Sequence, residues 1–231
     1  MHISYLEWDS HCFGYQVGEM SASATDIAPT LQQARQQGYR LLYLRAAPRQ
    51  ALHLAALQAG AVWADEKITF VQKIPTHVPQ SQAFVCETID ASADLKTLAL
   101  QSGQFSRFKT DAHFQNNEFE KLYTAWIENS LKKELAEHVL ILTLEEETVG
   151  LLTLGIKNQR ADIGILAVDE PYRRQGIGKA LLYSAFQQSK QLQQSFVQVV
   201  TQKANAQACL FYQKQGFAIE KTENIYHFWL D

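Results

Sequence analysis

No apolar run in the sequence approaches the roughly 20 residues of a membrane span, so the 46% of hydrophobic residues are read as a buried core. Cysteine is scarce. Cys12, Cys86 and Cys209 are odd in number and scattered, which argues against a disulfide framework and for a reducing compartment. Charge of one sign is scarce too: a net charge of −3 with dispersed Lys and Arg offers nothing to nucleic acid. His2, His11, His53, His77, His113, His138 and His227 show no metal spacing, so no metal is expected. There is no Gly-x-Ser-x-Gly elbow for a serine hydrolase. Met1-His2-Ile3-Ser4 lacks a basic region followed by an apolar stretch, so no signal peptide is expected. These absences leave a soluble, cytoplasmic α/β protein of 231 residues, enough for one good core or two small ones.

What is present centres on residues 163–182. Ile163–Val168 is short, apolar and rich in β-branched residues, as a strand covered on both faces would be. Pro171 ends it, since proline cannot donate to a ladder. After Gly178, the apolar residues Ala180, Leu181, Leu182, Ala185 and Phe186 fall at helical spacing. Between strand and helix, Gly176 and Gly178 let a ligand approach the backbone. The free amides of the helix start carry positive potential there, and Arg173, Arg174 and Lys179 add full charges. This is a pyrophosphate site by its chemistry, and it is neither a Walker A loop nor Gly-x-Gly-x-x-Gly. A second element follows: Asn205 and Tyr212, seven residues or about two helical turns apart, behind the apolar strand Phe196–Val200.

Arg173-x-x-Gly176-x-Gly178 after an apolar strand resembles the acetyl-coenzyme-A motif of the GCN5-related N-acetyltransferase (GNAT) superfamily. The resemblance implies that acetyl-coenzyme A lies along Leu166, Ala167 and Val168. Its pyrophosphate would meet Arg173, Arg174, Gln175, Gly176, Ile177, Gly178 and Lys179, and Asn205 would touch the pantetheine arm or the phosphates. It further implies an α/β GNAT fold, a mixed central sheet flanked by helices, and a homodimer.

Two parts are expected. Residues 1–75 read as loop Glu7–Gly14, helix Ile27–Gln37 stopped by Gly38, strand Arg40–Arg45, helix Gln50–Ala59 ended by Gly60, and strand Ile68–Ile74. Residues 76–82, which follow Pro75 and contain Pro79, read as a linker. From residue 83 to 231 the order is strand Phe84–Ile89, a helix capped by Asp90 and running to Leu100, an irregular stretch Gln101–Gln115, and helix Asn117–Leu135. Strands Val139–Leu144 and Val149–Leu154 then lead to the loop and helix above, followed by strand Phe196–Thr201, helix Asn205–Gln215 and strand Ile225–Leu230. Placing Gly60 on Gly216 aligns the two strand–helix–Gly–strand units and puts Arg49 and Ala56 where Asn205 and Tyr212 stand. The first unit therefore reads as a smaller, degenerate GNAT-like domain without the chemistry.

A thioester that acylates an amine expels a thiolate, which needs a proton. Tyr212 is the candidate donor, because a tyrosine near its reference pKa of about 10 is still protonated at neutral pH; the alternative is an ordinary buried tyrosine. Asn205 alternatively serves as a plain N-cap. Asp162 and Glu170 are candidate bases, with surface charge as the alternative for both. Phe105, Ser106, Arg107 and Phe108 lie in the expected acceptor loop, where rings stack and charges meet phosphate, or else form a helix connection with core phenylalanines.

Phe105-Ser106-Arg107-Phe108, Leu122-Tyr123-x-x-Trp126-Ile127-Glu128-Asn129, Val200-Thr201-Gln202-x-x-Asn205 and the opening Leu6-x-Trp8-x-x-x-x-Phe13-Gly14 are similar to the dTDP-fucosamine acetyltransferases. That resemblance implies acetyl transfer to the 4-amine of a dTDP-linked 4-amino-4,6-dideoxyhexose for a surface polysaccharide, with Arg107 on a nucleotide phosphate. Two alternatives stay open: the same enzyme chemistry on a protein N-terminus, polyamine or aminoglycoside, or a non-catalytic coenzyme-binding module.

Overall fold

The computed structural model describes residues 2–21, 23, 25–86 and 88–230. The N-terminal elements are β1 (His2–Tyr5), α1 (Glu7–Phe13), β2 (Val17–Ser21), α2 (Ile27–Gln36), β3 (Leu41–Ala46), α3 (Gln50–Gln58) and β4 (Val62–Lys73). Then come β5 (Phe84–Val85), α4 (Ala93–Ser102), α5 (Arg107–Thr110), α6 (Glu118–Leu131), β6 (His138–Leu144), β7 (Glu147–Lys157) and β8 (Arg160–Val168). The chain closes with α7 (Ile177–Gln191), β9 (Phe196–Gln202), α8 (Ala206–Lys214) and β10 (Ala218–Trp229).

All ten strands join one sheet in the order β1-β2-β3-β10-β4-β9-β8-β7-β6-β5. The order is close to a mirror image about the β10–β4 pair. Each strand–helix–strand unit, β3-α3-β4 and β9-α8-β10, gives its last strand to the other unit: β10 pairs with β3, and β4 pairs with β9. One face of the sheet carries α2 and α3, then α7 and α8; the other carries α1, α4, α5 and α6. The segment between β4 and β5 packs on α7, where Ser81 Oγ donates to the Ala180 carbonyl at 2.6 Å and Lys190 Nζ to the Thr76 carbonyl at 2.7 Å.

Several boundaries differ from the sequence expectation. Glu7–Phe13 is a helix rather than a loop, because Ser10 and Phe13 bury one side and Gly14, at φ 77°, closes its end. Only Phe84–Val85 pairs with β6, and Glu87 of the expected strand lies outside the described residues. Ser92, not Asp90, caps α4, its Oγ accepting from the Leu95 amide. The turn of α5 interrupts the stretch expected to be irregular, and α6 ends at Leu131, before left-handed Lys133. β4 begins six residues earlier than expected and carries Asp65 and Lys67 into the sheet.

β8 is not covered in one continuous pattern. Its register against β7 shifts between Leu152↔Leu166 and Leu154↔Ile163, so Gly164 and Ile165 stand opposite Thr153, whose Oγ1 accepts from the Ile165 amide at 2.9 Å. This bulge reverses the side-chain alternation. Ala161 and Ile163 pack toward α7, whereas Ile165 and Ala167 pack toward α4 and α6.

A buried polar group joins the two parts. Asp111, just past α5, accepts from His227 Nδ1 on β10 at 2.6 Å, Trp229 Nε1 at 3.0 Å and His113 Nδ1 at 2.8 Å. These donors hold the Asp111 carboxyl well below the usual range despite burial, while burial pushes fully enclosed His227 down to about 4. The unfolded chain thus binds a proton on His227 between about pH 6.5 and 4 that the folded chain refuses, so stability is lost as pH falls through that window. The His227 part of the loss is up to about 3 kcal/mol. Urea midpoints should fall from pH 7 to pH 4.5, and less steeply in His227→Gln. Asp111→Ala, which strands two buried donors at ~1–3 kcal/mol each, should lower the pH 7 midpoint.

Candidate active site

The site is a gap in the sheet. β8 and β9 pair in parallel only over Ala161↔Val197 to Ile163↔Val199, and beyond that they diverge. Asp169 N–H bonds the Val149 carbonyl on the β7 side. Ala167 therefore exchanges its hydrogen bonds with Leu151, while the amides and carbonyls of Leu166 and Val168 point into the gap. Of the three strand residues expected to meet the coenzyme, Leu166 turns its amide and carbonyl and Val168 its amide toward the gap, while Ala167 is paired with Leu151.

The loop after β8 is built to stay open. Asp169 Oδ1 accepts from the Glu170 amide at 3.0 Å and from Gln101 Nε2 at 2.7 Å, while a 3-10 turn follows over Glu170–Tyr172. Arg173 points back: its Nε donates to the Val168 carbonyl at 3.0 Å and its Nη2 to Gln101 Oε1 at 3.3 Å. Arg173 thus braces the strand end against α4, and Gln101, which sequence reasoning missed, is its partner. Arg174 (φ 65°) and Gly176 (φ 88°) are left-handed, which turns the chain into α7. A Cβ on Gly176 would meet no atom of the described residues within 4 Å, so the space above this helix start is open. At Gly178 a Cβ would make ordinary contacts, 3.5 Å from the Phe211 ring and 3.7 Å from Val168. Arg174, Gln175 and Lys179 are exposed around it, Lys179 Nζ lying 5.4 Å from the Tyr183 ring, and Ile177 is buried. The α7 amides of this first turn have no helical acceptor. The residues present fit a pyrophosphate and an extended amide-bearing arm.

Across the gap, Asn205 caps α8, its Oδ1 accepting from the Ala208 amide at 3.0 Å. Tyr212 is buried two turns later against Phe70, Phe211 and Phe217, with ring centroids 5.3–5.7 Å away. Burial pushes its phenol well above the ordinary value, so it keeps its proton throughout the neutral range. Asp162 is tied to Gln198 Nε2 at 2.7 Å across β8 and β9, and Glu170 is exposed.

The four acceptor-loop residues have different surroundings. Phe105 is exposed, buried Ser106 caps α5 through the Phe108 amide, and Phe108 packs on Phe13 and Phe114. Arg107 lies over the rings of Tyr43 at 4.0 Å and Phe108 at 4.4 Å. On the same face of the sheet Trp126 covers the bulge, since a Cβ on Gly164 would lie 3.3 Å from its indole, and Tyr123 adjoins it at 5.8 Å. Among the described residues no group of three or more His, Cys, Asp or Glu could hold a metal, and no helix is long and apolar enough to cross a membrane.

Comparison with known proteins agrees with this geometry. The sequence profile of the acetyltransferase (GNAT) family matches residues 102–217, and the chain belongs to that family. It is 24% identical over 132 residues to the spore coat polysaccharide biosynthesis protein SpsD of Bacillus subtilis (strain 168), which is 57% of this chain and 45% of that protein. It is 29% identical over 111 residues to streptothricin acetyltransferase A of the same organism, 48% of this chain and 64% of that protein. Less than two thirds of either relative's length is therefore matched. In structure it resembles a GCN5-related N-acetyltransferase from Sphaerobacter thermophilus, with a TM-score of 0.65 at 12% identity over 99% of this chain and 76% of that one. The fold is the GNAT fold.

The observed cap and the expected coenzyme contact of Asn205 can be separated. Asn205→Ala should lose the cap, about 1 kcal/mol in urea unfolding, and weaken coenzyme A in calorimetry. Asn205→Asp keeps the cap, so it should weaken coenzyme A with unfolding unchanged. Equal coenzyme affinity in all three proteins would leave Asn205 a cap alone.

Proposed function

We propose that the chain is an acetyl-coenzyme-A-dependent N-acetyltransferase whose acceptor is a nucleotide-linked amino sugar, a dTDP-4-amino-4,6-dideoxyhexose. The observation that carries the reaction class is the gap between β8 and β9, edged by the free amides of Leu166 and Val168 and ending at the α7 helix start. Acetyl-coenzyme A supplies an activated acyl group as a thioester. The chain holds its phosphates on the first-turn amides of α7 with Arg174 and Lys179 near, while Arg173 keeps the loop in shape. Strand amides at the gap offer hydrogen bonds to the acetyl oxygen as negative charge builds there. Tyr212, still protonated, donates to the leaving sulfur.

The sugar assignment draws support from the polysaccharide named in the SpsD relative and from Arg107, which lies over Tyr43 on the α5 face of the sheet. The streptothricin relative suggests a second reading, a cationic antibiotic amine. Local charge disfavours it: Arg45, Arg107 and Lys157 all press on Lys67 at this face, and a polycation would add to that repulsion.

Residues 1–75 are, in this reading, a reduced GNAT-like half joined through 76–82 to the catalytic part, 83–231. β2 and β3 stay paired from Val17↔Leu41 to Met20↔Leu44, leaving no gap between them. Residues 22–30 before and into α2 include Asp26 and no Lys or Arg, so a phosphate would meet a carboxylate there.

Thiol release from acetyl-coenzyme A, with dTDP-4-amino-4,6-dideoxygalactose beside spermidine, an aminoglycoside and a short peptide, tests the assignment. Turnover confined to the sugar is expected, with Tyr212→Phe lowering kcat on the order of 10²-fold or more. Turnover with another amine only would overturn the sugar, and an unchanged kcat in Tyr212→Phe would remove the donor role.

A further inference from the structure

The face of the sheet under α5 and α6 carries a charged cluster of which the reading above uses only Arg107. β4 brings Asp65 and Lys67 there, in register with Ile225 and Glu223 of β10, and Lys67 also pairs with Gln202 of β9. Arg107 hangs over them from α5, fixed against Tyr43 and Phe108. Neither Lys67 nor Arg107 makes an ion pair with a carboxylate within 4 Å among the described residues. The cluster continues through Tyr123 to Trp126, which lies on Gly164 where β8 leaves β9. It therefore borders the gap from the side opposite α7 and α8.

We propose that β4, a strand of the N-terminal half, completes the acceptor site: the Asp65 carboxylate takes a proton from the acceptor's ammonium, and Lys67 with Arg107 holds a phosphate of the same molecule. This rests on the acetyltransferase reading. Asp65 removes one proton from the ammonium and passes it to solvent. The freed lone pair forms the C–N bond at the acetyl carbon, and the C–S bond breaks with its electrons on sulfur. The second nitrogen proton leaves as the amide forms and balances the one that Tyr212 gives to sulfur.

The surroundings suit these roles. Burial raises Asp65 to about 6, with Arg107, Lys67 and the Glu66 backbone amide opposing the rise and the Glu66 carboxylate adding to it; Tyr123 faces it from α6. It is thus ionised just above pH 6 and a better base than a solvent carboxylate. Burial, then Arg45, Arg107 and Lys157, lowers Lys67 to about 8 against the pull of Glu223. A bound phosphate would relieve that excess of positive charge.

The test uses the full chain, dTDP-4-amino-4,6-dideoxygalactose as acceptor probe and dTDP alone as binding probe. Asp65→Asn should lower kcat on the order of 10²–10⁴-fold with coenzyme A affinity unchanged, and Asp65→Glu should restore part of it. Wild-type kcat/KM should fall about tenfold per pH unit below pH 6, a limb absent from Asp65→Asn. Because a raised carboxyl pKa costs stability above it, Asp65→Asn should melt at or above the wild-type temperature at pH 8. Lys67→Gln should weaken dTDP on the order of tenfold. Wild-type kcat and pH profile in Asp65→Asn would overturn the base, and unchanged dTDP affinity in Lys67→Gln would overturn the phosphate site. A wild-type chain that bound no coenzyme A would instead overturn the acetyltransferase reading itself.

Discussion

Everything at the site depends on β8 parting from β9 after Ile163↔Val199. A parallel pair buried on both faces has no reason to separate unless something else satisfies its backbone. Here the bulge at Gly164 and Ile165 makes the break, and Thr153 absorbs the Ile165 amide that the β7 ladder drops. Beyond the break, Arg173 takes the Val168 carbonyl, leaving a short row of amides for a ligand. Gly164 is needed because Trp126 and Thr153 occupy the space a Cβ would take, the Thr153 hydroxyl at 2.9 Å. The opening is thus a packed feature of the core.

The same constraint explains why the two halves cannot be read apart. With β9 turned away from β8, its other edge must be covered, and β4 of the first half covers it from Lys67 to Lys73. β10 does the reciprocal service for β3. Strand edges are a liability when bare, and the exchange removes two of them while tying the halves by backbone hydrogen bonds. The Asp111 network adds a side-chain tie between the acceptor loop and β10, which places α5 over β4.

Much of the strand–loop–helix beside the gap was legible in the sequence. Gly176, Gly178 and the apolar strand before them are local signals, and local signals survive without tertiary knowledge. Asn205 was open to two readings, and the structure puts its side-chain oxygen on the helix amide. What was illegible is what the exchange creates. Asp65 and Lys67 interrupt the apolar pattern of β4, so the sequence pattern starts the strand at Ile68 and leaves both outside it. Charges inside a strand read as exposure unless the covering element is known, and here it is α5, more than 30 residues on. Arg173 has a contact the sequence could not show: a cation beside two glycines reads as a phosphate ligand, and its Nε and Nη2 also brace Val168 and Gln101.

The division of charge between the two faces is what gives the fold a direction. On the α7 side, Arg174 and Lys179 are exposed to solvent, which suits a loosely held phosphate reached from outside. On the α5 side, Lys67 and Arg107 are half-buried and share space with Asp65. Ions in that setting interact more strongly, because screening falls with burial, and each unpaired one costs stability. A chain under selection for stability alone would replace Lys67 with an apolar residue facing α5, continuing the pattern that Ile68 and Phe70 set toward α7. Keeping a crowded cation beside a carboxylate, at the edge of the gap, is more readily explained by a ligand that brings both a negative group and an amine.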